Sequence, residues 1–66
     1  MKNRLKVQRA EHNFSQAELA EKIGVSRQTI NSVETGRYVP STVLALKLAQ
    51  VFGVGVEAVF QLEEGD

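Results

Sequence analysis

Residues 15–41 read SQAELAEKIGVSRQTINSVETGRYVPS, and the fold follows from how this stretch is punctuated. Ser15 followed three residues later by Glu18 forms a capping box, with Phe14 placed before it as a staple residue. Leu19, Ala20 and Ile23 then line one face of a helix, and Gly24 supplies the positive φ that ends it. Ser26 caps a second helix running from Arg27 to about Thr35, closed by Gly36. Two helices crossing steeply at so tight a turn need a small residue where the backbones approach, and Ala20 is there. Val25 is the side chain tucked into the turn, and Ile30 and Val33 anchor the second helix one turn apart. The other side chains of that helix, Arg27, Gln28, Thr29, Asn31, Ser32 and Thr35, are mostly amides and hydroxyls, where a solvated helix would carry Glu and Lys.

Further along the chain, Arg37–Pro40 is a loop and Ser41 caps a helix from Thr42 to Phe52, stopped at Gly53. Leu44, Ala45, Leu48, Ala49 and Phe52 form its core stripe, while Val43, Leu46 and Val51 fall outside it. A short fifth helix is expected at Val56–Phe60, and Glu63–Asp66 as a frayed acidic end. Towards the N-terminus, a helix is expected over Arg4–Glu11, capped by Asn3 and stopped at Asn13. Its stripe of Leu5, Val7 and Ala10 is poor because Gln8 sits where an apolar side chain would fit. His12 falls at an exposed helix end, with no ligand role expected. The alternation in Leu5-Lys6-Val7 and in Phe60-Gln61-Leu62-Glu63 leaves open an alternative, in which the chain ends form short strands that pair. The expected architecture is all-α: a compact five-helix domain spanning 1–66, with its helix-turn-helix core at 16–35.

Composition narrows the function. A chain of 66 residues supports one core, and small scaffolds commonly need a disulfide, a metal or a partner. With no Cys and one His, disulfides and Cys/His zinc sites are excluded, which leaves self-association as the remaining aid. The start, MKNRLKVQRAEHN, is too polar for a signal peptide, and no apolar run reaches the ~20 residues of a membrane span. A soluble, cytoplasmic chain with no membrane partner is expected. Net charge is zero, yet residues 1–40 hold seven Lys/Arg against four Glu, whereas 41–66 hold one Lys against four acids. That polarity steers a polyanion to the first two-thirds of the chain. Paired carboxylates, a Gly-rich phosphate loop and a nucleophile beside a base are all lacking, so an enzyme is not expected. Neither a cofactor, a metal nor a small-molecule ligand is implied.

The run from Ser15 to Ser41 resembles the helix-turn-helix of phage Cro and repressor proteins, the broad XRE family, and most of all short stand-alone bacterial regulators of the cytolysin-repressor type. The resemblance extends from Leu5 to Leu62, with Gln16, Ala20, Gly24, Ser26 and Glu34-Thr35-Gly36 matching the family pattern. It implies that the third helix reads double-stranded DNA, with the residue matching Gln28 contacting a base and those matching Arg27, Thr29, Ser32 and Thr35 reaching bases or phosphates; Arg27, Gln28, Thr29 and Ser32 are taken as the base-reading set. Those matching Gln16, Arg37 and Tyr38 are implied to grip the backbone, and Asn31, Thr35 and Ser41 are expected to join them. It also implies a structural pair between Arg9 and Glu34. Gln8, where the family usually has an apolar residue, is a departure, and so is the mild overall charge. Independent chemistry agrees, since Gln can pair bidentately with adenine and Arg with guanine. The start of a helix at Gln16 likewise favours a phosphate.

Plainer readings stand beside these. Arg27 and Gln28 also suit a solvated surface, Gln16 and Ser41 suit capping, and Tyr38 suits the edge of a core. Val43, Leu46 and Val51 can lie under the chain ends. The sharper expectation is a homodimer contact through Leu46, Val56, Val59, Phe60 and Leu62, because an isolated domain would expose such residues. Together these give a sequence-specific transcriptional regulator, a repressor that binds a palindromic operator as a homodimer. The alternative is a protein-interaction module, such as an antitoxin-like adaptor, on the same fold.

Overall fold

Serine hydroxyls open three of the four helices. In the computed structural model, which describes all of residues 1–66, Ser15 Oγ accepts from Glu18 N at 3.0 Å while Glu18 Oε1 accepts from Ser15 N at 3.0 Å. This reciprocal box starts α2, Gln16–Ile23. Ser26 Oγ accepts from Thr29 N at 3.1 Å to start α3, Arg27–Glu34, and Ser41 Oγ accepts from Leu44 N at 3.2 Å to start α4, Thr42–Phe52. Each cap satisfies a backbone donor that the helix itself cannot, a stabilisation of about 1 kcal/mol. Gly24, at φ 85°, ends α2, and the amides of Gly24 and Val25 both donate to Ala20 O, at 2.8 and 3.0 Å. These two hydrogen bonds to one carbonyl close the tight turn from which α3 crosses over α2.

α1 covers Leu5–Glu11 and buries only Leu5, as its poor stripe foretold; Val7 is 41% exposed. Arg4 is the residue before it, and its side chain makes no cap. Asn3 Oδ1 instead accepts from Leu5 N at 3.1 Å. The core holds Leu19, Ala20 and Ile23 of α2 and Ile30 and Val33 of α3. Leu44, Leu48, Ala49 and Phe52 of α4 complete it with Leu5, Val59 and Phe60.

Two expectations change here. The fifth helix is a single 3-10 turn, Val56–Ala58, so the domain has four α-helices. Its brevity has a physical cause: Gly55 precedes it, the chain turns extended by Phe60, and three residues cannot repay helix nucleation. The chain ends do pair, but in a different register from the alternation first suggested. β1 is Lys2–Asn3 and β2 is Phe60–Gln61, antiparallel, with Lys2 opposite Gln61 and Asn3 opposite Phe60. Leu5-Lys6-Val7 belongs to α1. Arg4 N extends the pairing by donating to Val59 O at 2.7 Å.

Candidate nucleic-acid interface

α3 buries Ile30 and Val33 completely and turns Arg27, Gln28, Asn31 and Thr35 to solvent, with Ser32 half-buried between. Gln28, Asn31, Ser32 and Thr35 follow the helical i, i+3, i+4, i+7 spacing, so they form one polar stripe opposite the two anchors. Gln28 stands on a ridge between two shallow hollows. One is lined by Gln16, Arg27, Gln28 and Asn31, the other by Ser26, Gln28, Thr29, Ser32 and Tyr38. Arg27 and Arg37 form no salt bridge, so both charges are uncompensated at this surface.

Several of these residues also have local duties. Thr29 is half-buried with its hydroxyl 2.9 Å from Ser26 Oγ, inside the cap of α3. Thr35 Oγ1 donates back to Asn31 O at 2.9 Å. The Ser32 carbonyl accepts from Arg37 N at 3.0 Å and Tyr38 N at 3.2 Å, which folds the Arg37–Tyr38 loop against the end of α3. Tyr38 is 44% exposed at the rim of the second hollow. Ser41 lies in the neighbouring cleft, beside Ile23, Thr29, Tyr38 and Lys47, with its hydroxyl committed to the cap of α4.

Glu34 organises the other side of the surface. Its Oε1 accepts from Arg9 Nε at 2.7 Å, as the resemblance implied, and its Oε2 accepts from Gln16 Nε2 at 2.6 Å. Arg9 Nη1 continues to the Phe14 carbonyl at 2.9 Å. The carboxylate is nearly enclosed (5% of the side chain exposed, against 18% for Arg9), so α1, the α1–α2 connection, α2 and α3 are fastened at one charged centre. A buried pair of this kind fixes geometry more dependably than it adds stability. The bond from Gln16 was not foreseen. Its residues are 18 apart in sequence, and Gln16 carries no mark of its partner. A second unforeseen link is Asn3 Nδ2 donating to Val33 O at 2.9 Å, which ties β1 to the last turn of α3. Gln16 keeps its place at the first turn of α2, where the amides of Gln16 and Ala17 have no protein acceptor. Beside it, the hydrogen bond that the Glu18 carboxylate accepts from the Ser15 amide, with the Ser15 side chain close by, holds its carboxyl below the ordinary carboxylate value.

The expected dimer residues divide. Leu46 (54% exposed) and Leu62 (81%) are surface residues, and Val56 is half-buried. Val59 is wholly buried and Phe60 nearly so, and this corrects their assignment: both fill the core beneath the sheet, and only the edge of Phe60 reaches the surface. That edge joins Val39, Pro40, Ala45, Leu46, Val56 and Leu62 along an open apolar groove between α4 and β2. Val39 is 62% exposed in that groove, and Val43, 63% exposed, is a further bare apolar side chain in the cleft beside Ser41.

A recognition-type helix set across a capped partner, with a polar stripe flanked by free cations, defines a helix-turn-helix DNA-binding domain. Comparison with known proteins agrees. The HTH_3 helix-turn-helix family matches residues 5–59. An uncharacterized HTH-type transcriptional regulator of Methanocaldococcus jannaschii is 53% identical over 66 residues, covering both chains entirely. The restriction-modification controller protein C.AhdI from Aeromonas hydrophila superimposes with a TM-score of 0.80 at 33% identity, over 86% of each chain. The N-terminal DNA-binding domain of SinR from Bacillus subtilis gives 0.75 at 36%, over 82% of this chain and 80% of that one. The chain belongs to the helix-turn-helix XRE family of DNA-binding transcriptional regulators. That family is a class of DNA-binding regulators and not of enzymes. No helix is long and apolar enough to cross a membrane.

Proposed function

We propose that this regulator binds a palindromic operator as a homodimer in the cytoplasm and represses by occupying it. The observation that carries this reading is the outward stripe of α3, where Gln28, Asn31, Ser32 and Thr35 stand beside the uncompensated Arg27 and Arg37. Amides and hydroxyls match base-edge donors and acceptors in the major groove, and a guanidinium can take the two acceptors of guanine. Arg27, Gln28, Thr29 and Ser32 are the base-reading set. Gln16, Asn31, Thr35, Arg37, Tyr38 and Ser41 hold the backbone, helped by the free amides that open α2. Gln16 can serve a phosphate with the amide hydrogen that Glu34 does not take, so the Arg9–Glu34 pair sets the direction of that contact. The groove around Leu46, Val56 and Leu62 supports an isologous dimer, which would place two α3 helices in successive major grooves about 34 Å apart. Repression then needs only that the occupied duplex excludes other proteins.

The test is selection of binding sites from random duplexes by the purified protein, with Gln28→Ala alongside. A two-fold symmetric site is expected, and Gln28→Ala should cost about 1–3 kcal/mol on it while relaxing one base position. Equal loss on every sequence would remove base readout at Gln28. The zero net charge and the same apolar groove favour one other reading, an interaction module that kept the fold without the DNA contact. Absence of any binding to duplexes at low salt would select it.

A further inference from the structure

The face that carries the DNA reading does not end at the helix-turn-helix. A broad, open cleft adjoins it, formed by Lys2, Asn3 and Arg4 on one wall and Glu34, Thr35 and Gly36 on the other. The two surfaces are continuous. Asn31 lines the hollow beside Arg27 and Thr35 lines the cleft, one helical turn apart and joined by the Thr35 hydroxyl bond to the Asn31 carbonyl. Gln16 and Glu34, hydrogen-bonded to each other, likewise belong one to each.

Lys2 and Arg4 are both exposed, and neither forms a salt bridge. The single carboxylate in the cleft, Glu34, is already engaged by Arg9 and Gln16. The nearby tail acids Glu63 and Asp66 contact the Met1 amine at 3.1 and 3.2 Å, not these two side chains. The backbone that carries the two cations is held in place. Asn3 donates to Val33 O, Arg4 N donates to Val59 O, and Lys2 lies in the β1–β2 ladder. The backbone that carries the two charges is therefore held relative to α3 from both sides, while the side chains themselves extend unpaired from it.

We propose that Lys2 and Arg4 bind DNA phosphates on the flank of the operator, prolonging the backbone track that begins at the first turn of α2. The inference rests on the duplex entering along the polar stripe of α3. An α-helix of eight residues is ~12 Å long, comparable with the width of the major groove, so cations beyond its last turn face the strand bordering that groove. The contacts carry no sequence information; they add affinity and fix register.

The experiment measures fluorescence anisotropy of the full chain, with Lys2→Ala, Arg4→Ala, the double variant and Arg4→Lys. The probes are a mixed-sequence duplex and the best duplex recovered by selection, titrated from about 50 to about 200 mM salt. Each phosphate contact contributes about 0.9 to the slope of log affinity against log salt, which is roughly threefold in affinity across that range. The double variant is expected to lose nearly two from the slope and to weaken on both duplexes equally, while Arg4→Lys keeps the parent slope and an unchanged circular dichroism melt confirms folding. If the parent protein binds and the double variant matches it in slope and affinity, the contacts do not exist, although the operator reading survives. Loss confined to the selected duplex would also overturn the proposal, by making the contacts sequence-reading ones. A parent protein that binds neither duplex brings down both readings together.

Discussion

α3 and α4 lie in one small domain and treat their surfaces in opposite ways. α3 has two apolar residues, Ile30 and Val33, and buries both completely. α4 is apolar around most of its circumference; it buries Leu44, Leu48, Ala49 and Phe52 and still leaves Val43 and Leu46 more than half exposed. The first helix carries as much apolar surface as the core requires and leaves the rest polar. The second carries more than the core can use. Surplus in either sense, polar groups beyond what solvation needs or apolar groups beyond what packing needs, marks a surface shaped by something outside the chain.

The largest break in this comparison should come from the buried side of α3. Ile30→Ala removes a side chain with no exposure and should destabilise the fold by about 2–5 kcal/mol, read as a fall in the urea midpoint. Next in size is Glu34→Ala, which leaves Arg9 and Gln16 without their shared acceptor. Because Arg9 keeps some contact with water, the expected loss is about 2–3 kcal/mol, toward the low end for a broken buried pair. The double change Arg9→Met with Glu34→Leu should recover much of it, since replacing a pair costs less than orphaning one partner.

These helices also show what can be read from sequence and what cannot. Ser15, Ser26 and Ser41 announced three helix starts, and Gly24 and Gly53 two ends, because a cap acts within a few residues of itself. Ile30 and Val33 were recognisable as anchors from their spacing alone. The fifth helix failed because Val56–Phe60 is governed by a distant partner: β2 pairs with β1 across almost the whole chain, and that pairing draws the segment into extended form. Val59 and Phe60 looked like surplus for the same reason, since the core space they fill is closed by the opposite end of the chain. At the interface, the polarity of α3 was legible, but the bond from Gln16 to Glu34 and that from Asn3 to Val33 were not. Both join residues far apart in sequence through amides that any environment would accept.

Smaller effects sharpen the comparison on the α4 side. Leu46→Glu should shift stability by no more than about 0.5 kcal/mol, because the side chain is already exposed, yet it should turn the proposed homodimer into a monomer in sedimentation velocity. A dimer unaffected by that charge would place the contact elsewhere. The smallest effect belongs to Glu18, whose folded carboxyl is held below its ordinary value by the Ser15 amide and hydroxyl. A depressed carboxylate stabilises the fold above its unfolded value and loses that contribution as pH falls through the folded one. The stability gap between the parent and Glu18→Ala should therefore be full near neutrality and shrink as pH falls below the ordinary carboxylate range, in urea melts repeated across acidic pH.

The economy of α3 has a consequence for how such a regulator changes over time. Ile30 and Val33 in the core and the Glu34 carboxylate at the charged centre hold the helix in place, while Arg27, Gln28, Asn31 and Ser32 contribute little to the core. Mutations can therefore accumulate along the outer edge with little penalty in folding. Gene duplicates with this architecture are free to diverge in their preferred targets long before either loses its native shape.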